Sequence, residues 1–261
     1  MRLTVFASGS GGNCLLLSGS GTNILIDAGI STRRLTGLLA SCGLTLQDIG
    51  GVLITHEHSD HVCGLKTLLG RSDFPILAPH TVASRLMGQL PACEERLRII
   101  PVGEDFTLGK LKVRAFHTPH DTPESVGYRV TGEAVFAIAT DMGCVTEEIR
   151  GGLIGADAVL IESNHDEQML RYGRYPVALK RRILSDHGHL SNENCAMLAR
   201  ELADAGTGII ILGHLSRENN TPQTARRAAE DALAGTSARL LVAPELGCLE
   251  VKVERACLAL S

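Results

Sequence analysis

Between Val52 and Leu65 the chain reads VLITHEHSDHVCGL, an apolar run that ends abruptly in three histidines, a glutamate and an aspartate within six positions. Imidazoles and carboxylates crowded against a buried strand are poorly solvated, and a bound cation is the simplest remedy. In the string H-x-H-x-D-H, His56 and His58 can face one ion while Asp60 and His61 face a second. Other metal-competent residues also follow apolar runs: Asp27 ends NILID, His120 lies just beyond KVRAFHTP, Asp141 follows AVFAIAT and His214 follows IIILG. Asp141 suits a bridge between ions roughly 3.5–4 Å apart, the separation found in two-metal hydrolytic sites. Nitrogen and oxygen donors without a thiolate fit Zn, Mn or Fe. His117 competes with His120 for one place, and the loop position favours His120. Asp27 reads as a residue that orients a ligand histidine rather than a ligand itself. His80, beside Pro79 at a helix start, reads as a surface residue.

Rigid elements must bring these distant residues to one edge, and the apolar patterning predicts them. LTVFA and CLLL flank the glycine-rich reversal SGSGGN, as in a hairpin, and NILIDAG follows as a third strand. KVRAFH, VGYRV, AVFAIAT, DAVLIE and GIIILG read as further strands, with ARLLVA and CLEVKV as a closing pair. Helices are expected after Ser31, from Ser191 to Gly206, and from Thr221 with Pro222 in the first turn. Strands in two groups with helices outside predict an α/β fold, a four-layer αβ/βα sandwich. Without linkers or repeats, residues 1–261 are expected to form one domain.

The 261 residues are 44% hydrophobic, enough for a substantial core, and the formal net charge of −4 gives no global attraction to nucleic acid. No membrane span or secretory leader is expected, and a cytoplasmic location is the default. Eight scattered cysteines without a C-x-x-C pair are expected to be reduced, mostly small core residues, Cys63 and Cys144 among them.

THEHSDH, the later His120, TDMG at Asp141 and GHLS at His214 resemble the metallo-β-lactamase fold. Within that superfamily the chain is most similar to the WalJ/YycJ/VicX family, through ASGSGGN, ESNHD, YPVALKRRI, GHLSNEN and GHLSRENNTP. The resemblance implies a 5′-to-3′ exonuclease acting on DNA in preference to RNA, with two divalent ions, Mn or Zn. It also implies His56, His58 and His120 on one ion, Asp60, His61 and His214 on the other, and Asp141 shared. From tRNA-processing relatives it implies that Glu162 and His189 assist proton transfer, with His165 and His187 as neighbours that could be confused with His189.

The expected chemistry is phosphodiester hydrolysis, with Asp60 orienting the attacking water and His189 protonating the leaving oxygen. RYGRYPVALKRRI places Lys180, Arg181 and Arg182 where they could track a nucleic-acid backbone, with Tyr172 or Tyr175 stacking on a base. A solvated helix face is the plainer reading of such a charge run. Ser10, Asn13 and Asn219, with Ser216 and Asn220, are further candidate substrate contacts. Two rival readings are a small-molecule or cyclic phosphodiesterase using the same metals, and a non-catalytic metal-bound sensor.

Overall fold

In the computed structural model, which describes residues 1–255, the strands β1 (Arg2–Ala7), β2 (Cys14–Gly19), β3 (Thr22–Ile26), β4 (Ile49–Leu53), β5 (Ile76–Ala78), β6 (Leu97–Ile99) and β14 (Leu246–Lys252) form one sheet, ordered β14-β1-β2-β3-β4-β5-β6. The strands β7 (Asp105–Leu108), β8 (Leu111–His117), β9 (Val126–Thr131), β10 (Val135–Ala139), β11 (Ala158–Glu162), β12 (Ile209–Gly213) and β13 (Arg239–Val242) form the other, ordered β13-β12-β11-β10-β9-β8-β7. Helices α1 (Thr32–Ser41), α2 (Ser59–Val62), α3 (Leu65–Leu68) and α4 (His80–Gln89) accompany the first sheet. Helices α5 (Glu147–Leu153), α6 (Glu167–Tyr172), α7 (Val177–Ile183), α8 (Asn192–Asp204) and α9 (Pro222–Ala232) accompany the second.

Strand periodicity builds the layers, because successive side chains point to opposite faces. Leu15, Leu17, Ile24 and Ile26 join Tyr128, Phe136, Ile138, Leu160 and Ile211 in a core between the sheets. Their neighbours Leu16 and Leu25 face outward, against Leu35 and Leu39 of α1 and Val82 and Leu86 of α4. On the second sheet Ala137, Val159, Ile161, Ile210 and Leu212 face Leu153 of α5 and Leu198 and Leu202 of α8. The result is the expected four-layer αβ/βα sandwich. Side chains of Ser31, Ser191 and Thr221 cap α1, α8 and α9 as their positions predict.

Two expectations fail. ARLLVA and CLEVKV do not pair with each other: β13 lies beside β12, and β14 lies beside β1 in the opposite sheet. Both segments carry strand patterning, but nothing in that patterning selects an edge. The cysteines are also less buried than expected, since Cys14, Cys93 and Cys195 are buried while Cys63 and Cys248 are exposed and Cys42 and Cys144 lie between. Among the described residues all are free thiols, and Cys257 lies outside them. No described helix is long and apolar enough to cross a membrane.

The topology opens one edge for chemistry. β3 runs parallel to β4, and β10, β11 and β12 run parallel to one another. β8 shares the direction of β10, each being antiparallel to β9. Side chains just past the carboxyl ends of such strands gather at the crevice where open α/β sheets bind ligands.

Candidate metal centre

Asp27 follows β3, His56 to His61 follow β4, His120 follows β8, Asp141 follows β10, Glu162 ends β11 and His214 follows β12. Three of these exits turn through the left-handed region, with φ of +58° at Asp27, +56° at Asp141 and +55° at His214. Non-glycine residues hold that conformation at a cost of about 1–3 kcal/mol each, and such strain concentrates at functional sites.

Four overlapping donor groups converge there: His56 with His58 and His120; Asp60 with His61 and His214; His56 with His61 and Asp141; and Asp141 with Glu162, His189 and His214. Asp141 stands between the first two groups, its Oδ2 3.3 Å from His61 Nε2 and its Oδ1 3.5 Å from His214 Nε2 and 3.7 Å from His120 Nε2.

Hydrogen bonds behind the cluster aim the rings. His61 donates from Nδ1 to Asp27 Oδ2 at 2.7 Å, which turns Nε2 toward Asp60 and Asp141. The Thr55 hydroxyl lies 2.9 Å from Asp27 Oδ2 and 3.1 Å from Nδ1 of both His56 and His61. Asp27 therefore fixes the orientation of the His61 ring. Thr55 was not anticipated, although its place directly before His56 at a strand exit was the available signal. His120 donates from Nδ1 to the Gly188 carbonyl at 3.3 Å. Glu162 is fully buried, and its Oε1 accepts from Nδ1 of His189 at 2.7 Å and of His214 at 3.0 Å. Its Oε2 accepts the amides of Met142 and Leu190.

The donor chemistry fits a divalent cation. His56 Nε2, His214 Nε2 and Asp141 Oδ2 are buried without a hydrogen-bond partner, although each belongs to a donor group. Buried polar atoms left so are rare in folded proteins, and cation binding at the donor groups to which they belong would satisfy them. The field is shaped for positive charge: burial opposes protonation of His214, yet Asp141, Asp60 and Glu162 push its pKa up to about 10. Burial would likewise raise Glu162, but His189 and His214 bring it down to about 2. His56 moves the other way, burial and the neighbouring His61 holding it well below the ordinary imidazole range.

Residues 22–215 match a family model described as a β-lactamase superfamily domain. The chain is 38% identical over 237 residues to "Exodeoxyribonuclease YycJ" of Bacillus anthracis, with 89% of each chain covered. The chain belongs to the YycJ/WalJ family of the β-lactamase superfamily. It is also 36% identical over 239 residues to "Exodeoxyribonuclease WalJ" of Streptococcus pneumoniae serotype 2, covering 89% of this chain and 88% of that one. The crystal structure of Zn(2+)-bound PqqB from Methylobacterium extorquens shares the fold, with a TM-score of 0.73 at 18% identity over 97% of this chain and 100% of that one. With this family comes a reaction class, metal-dependent hydrolysis.

The other histidines considered from the sequence distribute unevenly around the cluster. His120 joins it, whereas His117 is exposed and bonds Glu148. His189 meets Glu162, whereas His187 is exposed and His165 is buried outside the donor groups. His80 is exposed at the start of α4, as expected. A groove of about 150 Å³ runs past His189 and His214, lined also by Ser10, Tyr175, Arg182 and Ser216.

Four candidate substrate contacts, Asn13, Asn219, Asn220 and Lys180, are placed otherwise. Asn13 is buried, its amide accepting from Gly9 and reaching His61 Nε2 at 3.0 Å, so it braces the Asp60–His61 loop. That loop is tightly keyed, because a Cβ on Gly29 would stand 1.6 Å from the Asp60 carbonyl oxygen. Asn219 is 1% exposed, and Asn220 is spent on Asn192 and the carbonyls of Ser163 and Asn164. Lys180 donates to the carbonyls of Arg171 and Gly173 and ties α7 to the end of α6. Arg181 is exposed, and Arg182 pairs with Asp121, a residue not singled out from the sequence.

Proposed function

We propose that this YycJ/WalJ-family chain is a two-ion phosphodiesterase that degrades DNA from the 5′ end. The observation that carries the reading is the pair of donor groups meeting at Asp141: His56, His58 and His120 to one side, Asp60, His61 and His214 to the other. Those residues would hold two divalent ions, Mn or Zn, which when bound supply acidification of water and neutralisation of charge on a phosphoryl group. The choice of DNA is supported by the names of the relatives, both exodeoxyribonucleases. The 5′-to-3′ direction is supported by the family resemblance of the motifs.

The protein's own groups then have distinct tasks. Asp60 is half-buried, and although burial opposes its ionisation, the rings of His214 and His61, whose Nε2 atoms lie 3.8 and 3.5 Å from its Oδ2, hold it well below the usual carboxylate range. An ionised Asp60 orients an attacking water by accepting a hydrogen bond from it. His189 has Nδ1 committed to Glu162, which leaves Nε2 to carry a proton to the leaving oxygen of a substrate in the groove. Glu162 holds that ring and His214 in position from a fully buried place, without facing the substrate itself.

The direct test is metal-reconstituted protein on end-labelled single- and double-stranded DNA and RNA with 5′-phosphate or 5′-hydroxyl ends, beside a generic aryl phosphodiester. Stepwise, chelator-sensitive shortening of DNA from the 5′ end is expected. Cleavage of the aryl ester alone would assign the site to small-molecule phosphodiesters. In the same assay Asp60→Asn should lose nearly all turnover while His80→Ala keeps it; full turnover by metal-analysed Asp60→Asn would remove Asp60 from the mechanism. Arg181 projects into solvent from the basic face of α7, and Arg181→Gln should lower the log–log salt slope of DNA binding by about 0.7–0.9. An unchanged slope, measured by anisotropy between 50 and 200 mM salt, would place Arg181 outside the interface.

A further inference from the structure

Asp121 stands between two kinds of charge. Its Oδ1 lies 3.1 Å from His120 Nε2 and 3.9 Å from His58 Nε2, two rings of one donor group. Its Oδ2 pairs with the Arg182 guanidinium, which reaches across from α7. Because His120 Nδ1 is directed at the Gly188 carbonyl, Nε2 is the nitrogen that meets Asp121. Arg182 is 55% exposed and lines the groove beside His189 and His214, the one guanidinium or ammonium among that groove's described lining residues. Asp121, 24% exposed, neutralises it.

We propose that Asp121 couples ion loading to substrate capture, an inference that rests on the two-ion nuclease reading above. A carboxylate shared between two cations holds each less tightly than it would hold one alone. A divalent ion held by His56, His58 and His120 attracts Asp121 more strongly than a half-exposed guanidinium does, because its charge is double and its surroundings are less screened. Asp121 then becomes a further donor to that ion, and Arg182 is freed for a backbone phosphate, which a guanidinium can bind through two parallel hydrogen bonds. Linkage makes the effect reciprocal: a phosphate that engages Arg182 returns Asp121 to the ion and tightens ion binding by the same factor.

The test uses the full chain as wild type, Asp121→Asn and Arg182→Gln, with two readouts. The first is anisotropy of a labelled phosphorothioate oligodeoxynucleotide, in chelator and in Mn2+. Arg182→Gln should weaken oligonucleotide binding about fivefold in Mn2+ and leave it unchanged in chelator, the size of a partly exposed charge contact. Asp121→Asn should do the reverse, tightening binding in chelator and having little effect in Mn2+. Equal weakening by Arg182→Gln in both conditions would overturn the proposal, since Arg182 would then be free throughout. The second readout is Mn2+ affinity by competition with a chromophoric chelator, without nucleic acid. Asp121→Asn should weaken Mn2+ binding and Arg182→Gln should strengthen it. Mn2+ affinities unmoved by either variant would overturn the coupling even if DNA is bound and cleaved. The expected Mn2+ pattern without any oligonucleotide binding would instead sustain Asp121 as a donor and overturn the DNA reading.

Discussion

Asp141→Asn should lose roughly 10³-fold or more in turnover together with bound metal, while thermal unfolding stays cooperative. The side chain sits within 3.3–3.7 Å of ring nitrogens on His61, His214 and His120, so it is the charge shared by both donor groups. Asparagine is the informative replacement, because Asp141 adopts a φ of +56° and asparagine tolerates that region better than other uncharged residues of its size. The backbone turn after β10 is thus retained while the negative charge is removed. An amide in this place would present N–H hydrogens toward ring nitrogens that need a cation, so both donor groups should weaken together. Metal analysis by mass spectrometry, beside turnover and a melting curve with and without chelator, separates the effects. Full metal content with full turnover would exclude Asp141 from the centre, and loss of cooperative unfolding would make its role one of folding.

Most of this arrangement was legible because each polar residue ends an apolar run. A strand buried on both faces has one exit, and a histidine or aspartate placed at that exit in five separate segments points to convergence before any contact is known. The period of two in Leu15, Leu16 and Leu17, and in Ile24, Leu25 and Ile26, similarly separates the inter-sheet core from the helix-covered face. What escaped depends on long-range geometry. The choice of sheet by β13 and β14 is made by packing, since each has one edge to join and similar patterning. Lys180 and Arg182 are two residues apart in one basic run, yet one ammonium is spent on two carbonyls and the other cation faces an aspartate 61 positions earlier. Asn13 and Asn219 are polar in composition but buried in fact, because loops that brace a site enclose their own amides. Burial of a cysteine is equally undetermined by its type, as the exposed Cys63 beside His61 shows.

His189→Ala should retain its metal and lose about 10²–10⁴-fold in DNA turnover, the range of a single general acid. Two roles are open to this ring, because it belongs to a donor group with Asp141, Glu162 and His214 and also lines the groove. Its Nδ1 lies 2.7 Å from Glu162 and 3.9 Å from Asp141, so the short bond goes to the buried carboxylate, which favours the acid over the ligand. Burial lowers its affinity for a proton, but the Glu162 charge and hydrogen bond outweigh this and raise its pKa above the ordinary imidazole value. A proton donor to a leaving oxygen matters most when that oxygen is a poor leaving group. The loss on DNA, whose leaving group is a sugar hydroxyl, should therefore far exceed the loss on an aryl phosphodiester that departs as a stabilised phenolate. Equal losses on both substrates with reduced metal content would make His189 a ligand. Glu162→Gln should be more damaging than His189→Ala on both substrates, because it also withdraws the acceptor that orients His214. A Glu162→Gln variant with His189→Ala's substrate dependence and full metal content would show that His214 is held by Asp141 and Asp60 alone.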